Sequence, residues 1–166
     1  MKRVSISLLV LSGIVSFLFW IGNQMTPAPG TSSGNGNPAI LLFLLLVPLF
    51  LVIVFHWVHL LKVYMVPAAW LIIGILVIAG HHILAFLYQY HRLEEYRNVI
   101  RQAIMDRGGV VEENYVQAIT TGMSIHINNQ FFNVNTFFMF LTASLLFAVL
   151  YVLLDVGDER KRSSAA

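Results

Sequence analysis

Four of the six histidines in this chain stand in segments that are otherwise apolar: His56 and His59 in "FHWVHLLKVYM", His81 and His82 in "AGHHILAF". Imidazole is the commonest metal ligand among side chains, an axial ligand of haem, and a group that titrates near neutrality. His56 and His59 are three residues apart, so on a helix they share a face and can share a ligand. His81 and His82 are adjacent and diverge by about 100° around a helix axis, so one ligand does not easily serve both. At the helical rise, His81 falls about 28 Å along the axis from Lys62, where the segment of the first pair ends. If one helix begins where the other stops, the two pairs occupy opposite halves of a bilayer and do not form one cluster. A di-iron centre of the histidine-box type needs more histidines on one face than this chain has.

Haem, one per leaflet, fits those depths better. It usually draws one axial histidine from each of two helices, however, and the first and fourth apolar segments contain none. Packing is the simpler role: a neutral imidazole donates to backbone or to a neighbouring helix. Ionisable groups inside a membrane are nonetheless candidates for function. His56, His59, His81 and His82 are therefore the candidate cofactor ligands, with haem as the alternative to no cofactor at all. Gly74, His81, Ala85 and Tyr88 share a heptad face, which predicts a packed helix interface with a polar centre.

Other chemistry is not suggested. Cysteine is absent, which excludes disulfides, thiolate metal sites and thiol catalysis. The sequence holds no HExxH, phosphate loop or nucleophile elbow. Glu94–Glu95 and Glu112–Glu113 read as solvated helix faces, and His91 with Glu95 as an i, i+4 surface pair.

The elements that position these residues follow from composition. Of 166 residues, 58% are hydrophobic and 11% charged, with mean hydropathy +0.76. A water-soluble fold of this size carries about 25% charge, so lipid takes the place of the missing polar surface. A net charge of +2 does not point to nucleic acid. Four uncharged runs, about residues 4–22, 38–61, 66–90 and 136–154, each approach the roughly 20 residues that span a bilayer. Backbone in lipid must satisfy its own hydrogen bonds, so each is a helix. The expected fold is all-α: a four-transmembrane-helix integral membrane protein forming a single membrane domain, with a small helical extramembrane hairpin between helices three and four. The first run, behind Lys2 and Arg3, reads as an uncleaved anchor, because the best cleavage candidate near "TPAP" places proline after the cut. Pro48 predicts a kink in the second helix. Trp57, Tyr64 and Trp70 around Lys62 suit an interfacial belt.

Asn23 to Pro38, rich in Gly, Ser, Asn and Pro, predicts a mobile connector. In the polar loop 91–135, Leu93, Tyr96, Ile100 and Ala103 or Ile104 mark one helical face that ends at Gly108 and Gly109. A second helix is expected over Glu112 to Thr121 with Tyr115, Ala118 and Ile119 inward. "SIHIN" reads as extended chain, and Asn135 or Thr136 as the cap of helix four. Five phenylalanines between Phe131 and Phe140 suit the headgroup level or a docking edge. Six basic residues (Lys2, Arg3, Lys62, Arg160, Lys161, Arg162) against Arg92, Arg97, Arg101 and Arg107 place both termini in the cytoplasm and the loop outside. The basic tail suits anionic headgroups.

These features lead to the expectation of a non-enzymatic accessory or assembly partner of a membrane protein complex, in a plasma membrane and bacterial. Besides the bilayer, its partner is another membrane protein or a second copy, met through Tyr115, Ile119, Ile125, His126, Phe131 and Phe132. The alternative is a haem- or metal-binding redox protein.

Overall fold

The computed structural model describes residues 2–32 and 36–165, with side chains described through Gly157. The side chains of the tail cations Arg160, Lys161 and Arg162, and the connector residues Ser33, Gly34 and Asn35, lie outside that description. The elements are α1 (Lys2–Gln24), α2 (Ile40–Val63), α3 (Ala68–Asp106), α4 (Glu113–Ile119), a 3-10 turn (Ile125–Ile127), α5 (Asn128–Phe131) and α6 (Val134–Ala165). Four of these, α1, α2, α3 and α6 as far as Gly157, are long and apolar enough to cross a membrane. The chain is a four-span membrane helix bundle, as its apolar runs predict.

The order across the bundle is α1, α2, α6, α3. α6 is the central helix, packed on both α2 and α3, while α1 lies mainly against α2. Two apolar layers join them. Val15 and Phe19 of α1 meet Leu42, Leu46 and Ile53 of α2, with Phe137 and Phe140 of α6 alongside. Leu71 of α3 meets Val149 and Val152 of α6 near the α2–α3 turn. Edge-to-face ring contacts, Phe19 on Phe140 and Phe50 on both Phe140 and Phe147, stitch α6 to its neighbours. In lipid such shape-matched contacts carry the association, because the tails are as apolar as the side chains. α2 runs through Pro48 without a break.

The ends of the bundle sort clearly. Ser7 of α1 reaches His56 of α2, and Lys62 pairs with Asp155 of α6 at 2.5 Å, so these residues lie at one end. Asn23, Asn37, Gln89 and Asn133 lie at the other. The face of α3 turned to α6 is Leu71, Ile78 and Ala85, a strict seven-residue repeat. Tyr88 is not on it. It is 53% exposed, because the inward position of that turn belongs to Gln89.

Three local expectations need correction. The segment Ile125–Ile127 is a 3-10 turn leading into α5, not extended chain, since the carbonyls of Ser124 and Ile125 accept from Ile127 and Asn128. The cap of α6 is Asn133: its Oδ1 accepts from Thr136 N at 3.0 Å, and Thr136 Oγ1 accepts in return from Asn133 N at 3.1 Å. This is a reciprocal capping box with Thr in the role of the acidic partner. In α4 the inward residues are Val116 and Ile119, while Tyr115 and Ala118 face outward.

Candidate functional site

Beyond the membrane, α3 continues for four further turns and forms the spine of an extramembrane cap. Its stripe Tyr96, Ile100 and Ile104 packs on Val111, Val116 and Ile119. The expected glycine stop is present in detail. Gly108, at φ +74°, donates to Met105 O and Gly109 donates to Ile104 O, the paired bonds of a Schellman motif. Arg101 then grips Glu113 with two parallel bonds, Nε to Oε1 at 2.9 Å and Nη2 to Oε2 at 2.8 Å, fixing α4 against α3. That guanidinium holds the Glu113 carboxyl below the usual carboxylate range. Arg97 spans Glu94 and Thr120 Oγ1.

At the heart of the cap lies His126, fully buried. Its Nε2–H donates to Thr31 O at 2.6 Å, and its Nδ1 then accepts from Tyr96 O–H at 2.9 Å. One neutral tautomer satisfies both partners. Burial pushes the His126 pKa down, partly offset by the Thr31 carbonyl, and pushes the Tyr96 hydroxyl up. Both groups are therefore held uncharged.

Thr31 belongs to the α1–α2 connector, and its bond to His126 is one of several. Asn37 Nδ2 donates to Ser124 O at 3.1 Å and to Asn128 Oδ1 at 2.6 Å. Asn128 Nδ2 reaches Met25 O at 3.4 Å, Asn23 Nδ2 reaches Phe132 O at 2.6 Å, and Arg107 Nη2 reaches Pro29 O at 3.0 Å. Gly30, at φ +75°, lies against Ala103, where a Cβ would come within 3.2 Å of backbone. The described parts of the connector are thus stapled to the cap, which corrects the expectation of a mobile segment.

A second amide layer seats the cap on the bundle. Gln89 Nε2 donates to Gln130 Oε1, and Gln89 Oε1 accepts from Asn133 at 3.2 Å and Asn135 at 3.1 Å. Asn135 Nδ2 also reaches Ala85 O at 3.0 Å.

The six residues expected to meet a partner divide by this architecture. Ile119, His126 and Phe132 are buried in the chain's own interior, Ile125 is half-buried, and Tyr115 and Phe131 are exposed. Around "SIHIN", Ser124 and Ile125 are half-buried while His126, Ile127 and Asn128 are turned into the chain's own interior. The residues missed by sequence reasoning are the amides: Asn37, Gln89, Asn128 and Gln130. Their signal was the concentration of Asn and Gln at the ends of apolar runs.

The intramembrane histidines are separated as their spacing predicts. His56 Nδ1–H donates to Val52 O at 2.8 Å, which leaves Nε2 to accept from Ser7 O–H at 2.9 Å. His82 Nδ1–H donates to Ile78 O at 2.9 Å. His81 stands edge-on to His82, and its Nε2 is buried without a partner among the described residues. His59 is exposed at the Lys62 end. Among the described residues no three His, Asp or Glu side chains gather as a metal set. Outside the membrane, His91 Nε2 meets Glu95 at 3.2 Å on an exposed surface.

Compared with protein families, with characterised proteins and with solved structures, the sequence and the fold match none.

Proposed function

We propose that this chain is a non-enzymatic accessory protein of a membrane assembly, lying in a bacterial plasma membrane with both ends cytoplasmic and the cap outside. The observation that supports this is the way the cap's buried polar groups are used. His126, Asn128, Thr120 and Gln130 are all spent on holding the cap, the connector and the bundle together. The product of that network is a fixed platform on the membrane, not a loose loop. Apolar side chains stand outward from it: Val110 is 86% exposed and Met123 63%, with Tyr115 and Phe131 also reachable. Outward apolar groups on a rigid frame suit recognition of another protein with little ordering cost.

Photo-crosslinking groups placed at Val110, Tyr115 and Met123 should capture one specific membrane protein. That protein, once purified, should rebind the wild-type chain and not the Met123→Asp variant. Capture of lipid and self alone would remove the reading. The alternative, haem held by intramembrane histidines, rests on His81, whose Nε2 is buried without a partner among the described residues. A Soret band in the purified protein that disappears in His81→Ala would replace the accessory reading with it.

A further inference from the structure

Between α3 and the start of α6, at the level where the cap meets the bundle, opens a cleft of about 480 Å³. Its polar lining includes Gln89, Arg92, Asn129 and Gln130, and its aromatic lining is Tyr88 and Phe138. The two halves differ in chemistry. Tyr88 and Phe138 are 53% and 50% exposed. Arg92 is the first charged residue after Lys62 along the chain, so it marks the polar edge of the α3 span.

Arg92 differs from the other cap arginines. Arg97, Arg101 and Arg107 tie structure together through Thr120, Glu113 and Pro29 O. Among the described residues Arg92 bonds its helix neighbour Glu95 alone, through Nη1 at 2.6 Å, in a pair that is about half exposed on both sides. An exposed pair of this kind contributes little, and a planar guanidinium suits a phosphate better than it suits a single carboxylate oxygen. Gln89 fixes the wall by occupying the oxygen of Gln130, which leaves that amide's nitrogen, with the side chain of Asn129, to meet a ligand. No lining side chain is acidic among the described residues, so a cationic headgroup has no countercharge there.

We propose that this cleft binds one anionic phospholipid with a hydroxyl-bearing headgroup. Arg92 holds the phosphodiester, Asn129 and Gln130 hydrogen-bond the headgroup hydroxyls, and the acyl chains lie over Tyr88 and Phe138. The site is independent of any protein partner of the cap.

Native mass spectrometry of the full chain in mild detergent tests this with phosphatidylglycerol, phosphatidylcholine and glycerol 3-phosphate as probes. One phosphatidylglycerol should be retained in preference to phosphatidylcholine. Arg92→Gln should weaken that retention about tenfold, the size of one lost charge-assisted bond. Asn129→Ala, which leaves the guanidinium and Gln130 in place, should reduce the preference for phosphatidylglycerol over phosphatidylcholine. Equal retention by Arg92→Gln and wild type overturns the proposal, as does equal retention of the two lipids by wild type. Displacement of lipid by glycerol 3-phosphate would also overturn it, by showing a site for a soluble phosphate.

Discussion

His126 joins two stretches of sequence, since its ring spans Tyr96 of α3 and Thr31 of the connector. Because burial depresses its pKa, the folded state binds a proton less readily than the unfolded chain. Stability from this histidine is therefore complete above about pH 6.5, its unfolded value, and is lost as pH falls through the depressed folded value. Thermal unfolding of the detergent-solubilised protein should show a falling midpoint across that window, and His126→Leu should flatten it. Glu113 has the same sign, but its window opens lower, at the ordinary carboxylate value, because Arg101 holds the carboxyl below that range. His126→Leu also strands the Tyr96 hydroxyl and the Thr31 carbonyl; both residues are half-buried, so the cost for each is at the lower end of the about 1–3 kcal/mol of a buried group left unpaired. A variant as stable as wild type at every pH would show that the staple is not formed. In the membrane, Ser7 and His56 make the equivalent bond between α1 and α2. A double-mutant cycle with Ser7→Ala and His56→Phe should return a coupling of about 0.6 kcal/mol, the average of such bonds in lipid, and at most about 1.7 kcal/mol. Coupling near zero would mean that α1 is held by apolar packing alone. The histidine spacing was enough to read that the two pairs sit apart. It could not reveal Ser7 as the partner, since that contact joins residues 49 positions apart through the fold.

α1 and the cap meet at Gly22. A Cβ built there would fall 2.6 Å from Cδ2 of Phe132, so the ring of Phe132 occupies the space a side chain would need. Phe132 is 1% exposed and also packs on Phe19 and Phe43, so it has no room to retreat. Gly22→Ala should therefore destabilise the protein by about 1–3 kcal/mol through overpacking. Combining it with Phe132→Leu should recover part of that loss, read as a non-additive midpoint in thermal unfolding. Strict additivity would show that the two positions do not touch. The helices themselves were legible, because apolar length and the Gly108–Gly109 stop are local signals. The connector was not. Its Gly, Ser and Asn content describes what the chain can do in isolation, while Asn37 and Thr31 are fixed by partners about ninety residues away. Asn133 was missed as a cap for a related reason. The capping box begins at the first polar residue before α6, whereas the apolar run alone draws attention to Thr136.

At the scale of the molecule, the four spans bring Lys62 and Asp155 together at one end and carry the whole cap at the other. That asymmetry converts the charge count into a physical prediction. The Lys62 end also takes the start of α1 with Lys2 and Arg3, and its Asp155 is engaged with Lys62. At the cap end, Arg92, Arg97 and Arg101 contact Glu95, Glu94 and Glu113 respectively. Three of the four cap arginines thus stand beside a carboxylate, although the orientation rule itself counts Lys and Arg more than net charge. A small cysteine tag replacing Val110, 86% exposed at the tip of the cap, should react with a membrane-impermeant maleimide in intact cells. A tag at Met65, 84% exposed in the α2–α3 turn, should react only after the membrane is opened. Each single-cysteine variant is clean because the natural chain has no cysteine. The reverse pattern would invert the molecule, placing the cap in the cytoplasm, and would move the search for its partner to that side. Labelling at both positions in intact cells would mean the four helices do not span as a unit. The orientation is thus decided by two surface residues at opposite ends of the bundle. Because they differ in depth and not in local exposure, the comparison isolates topology from folding.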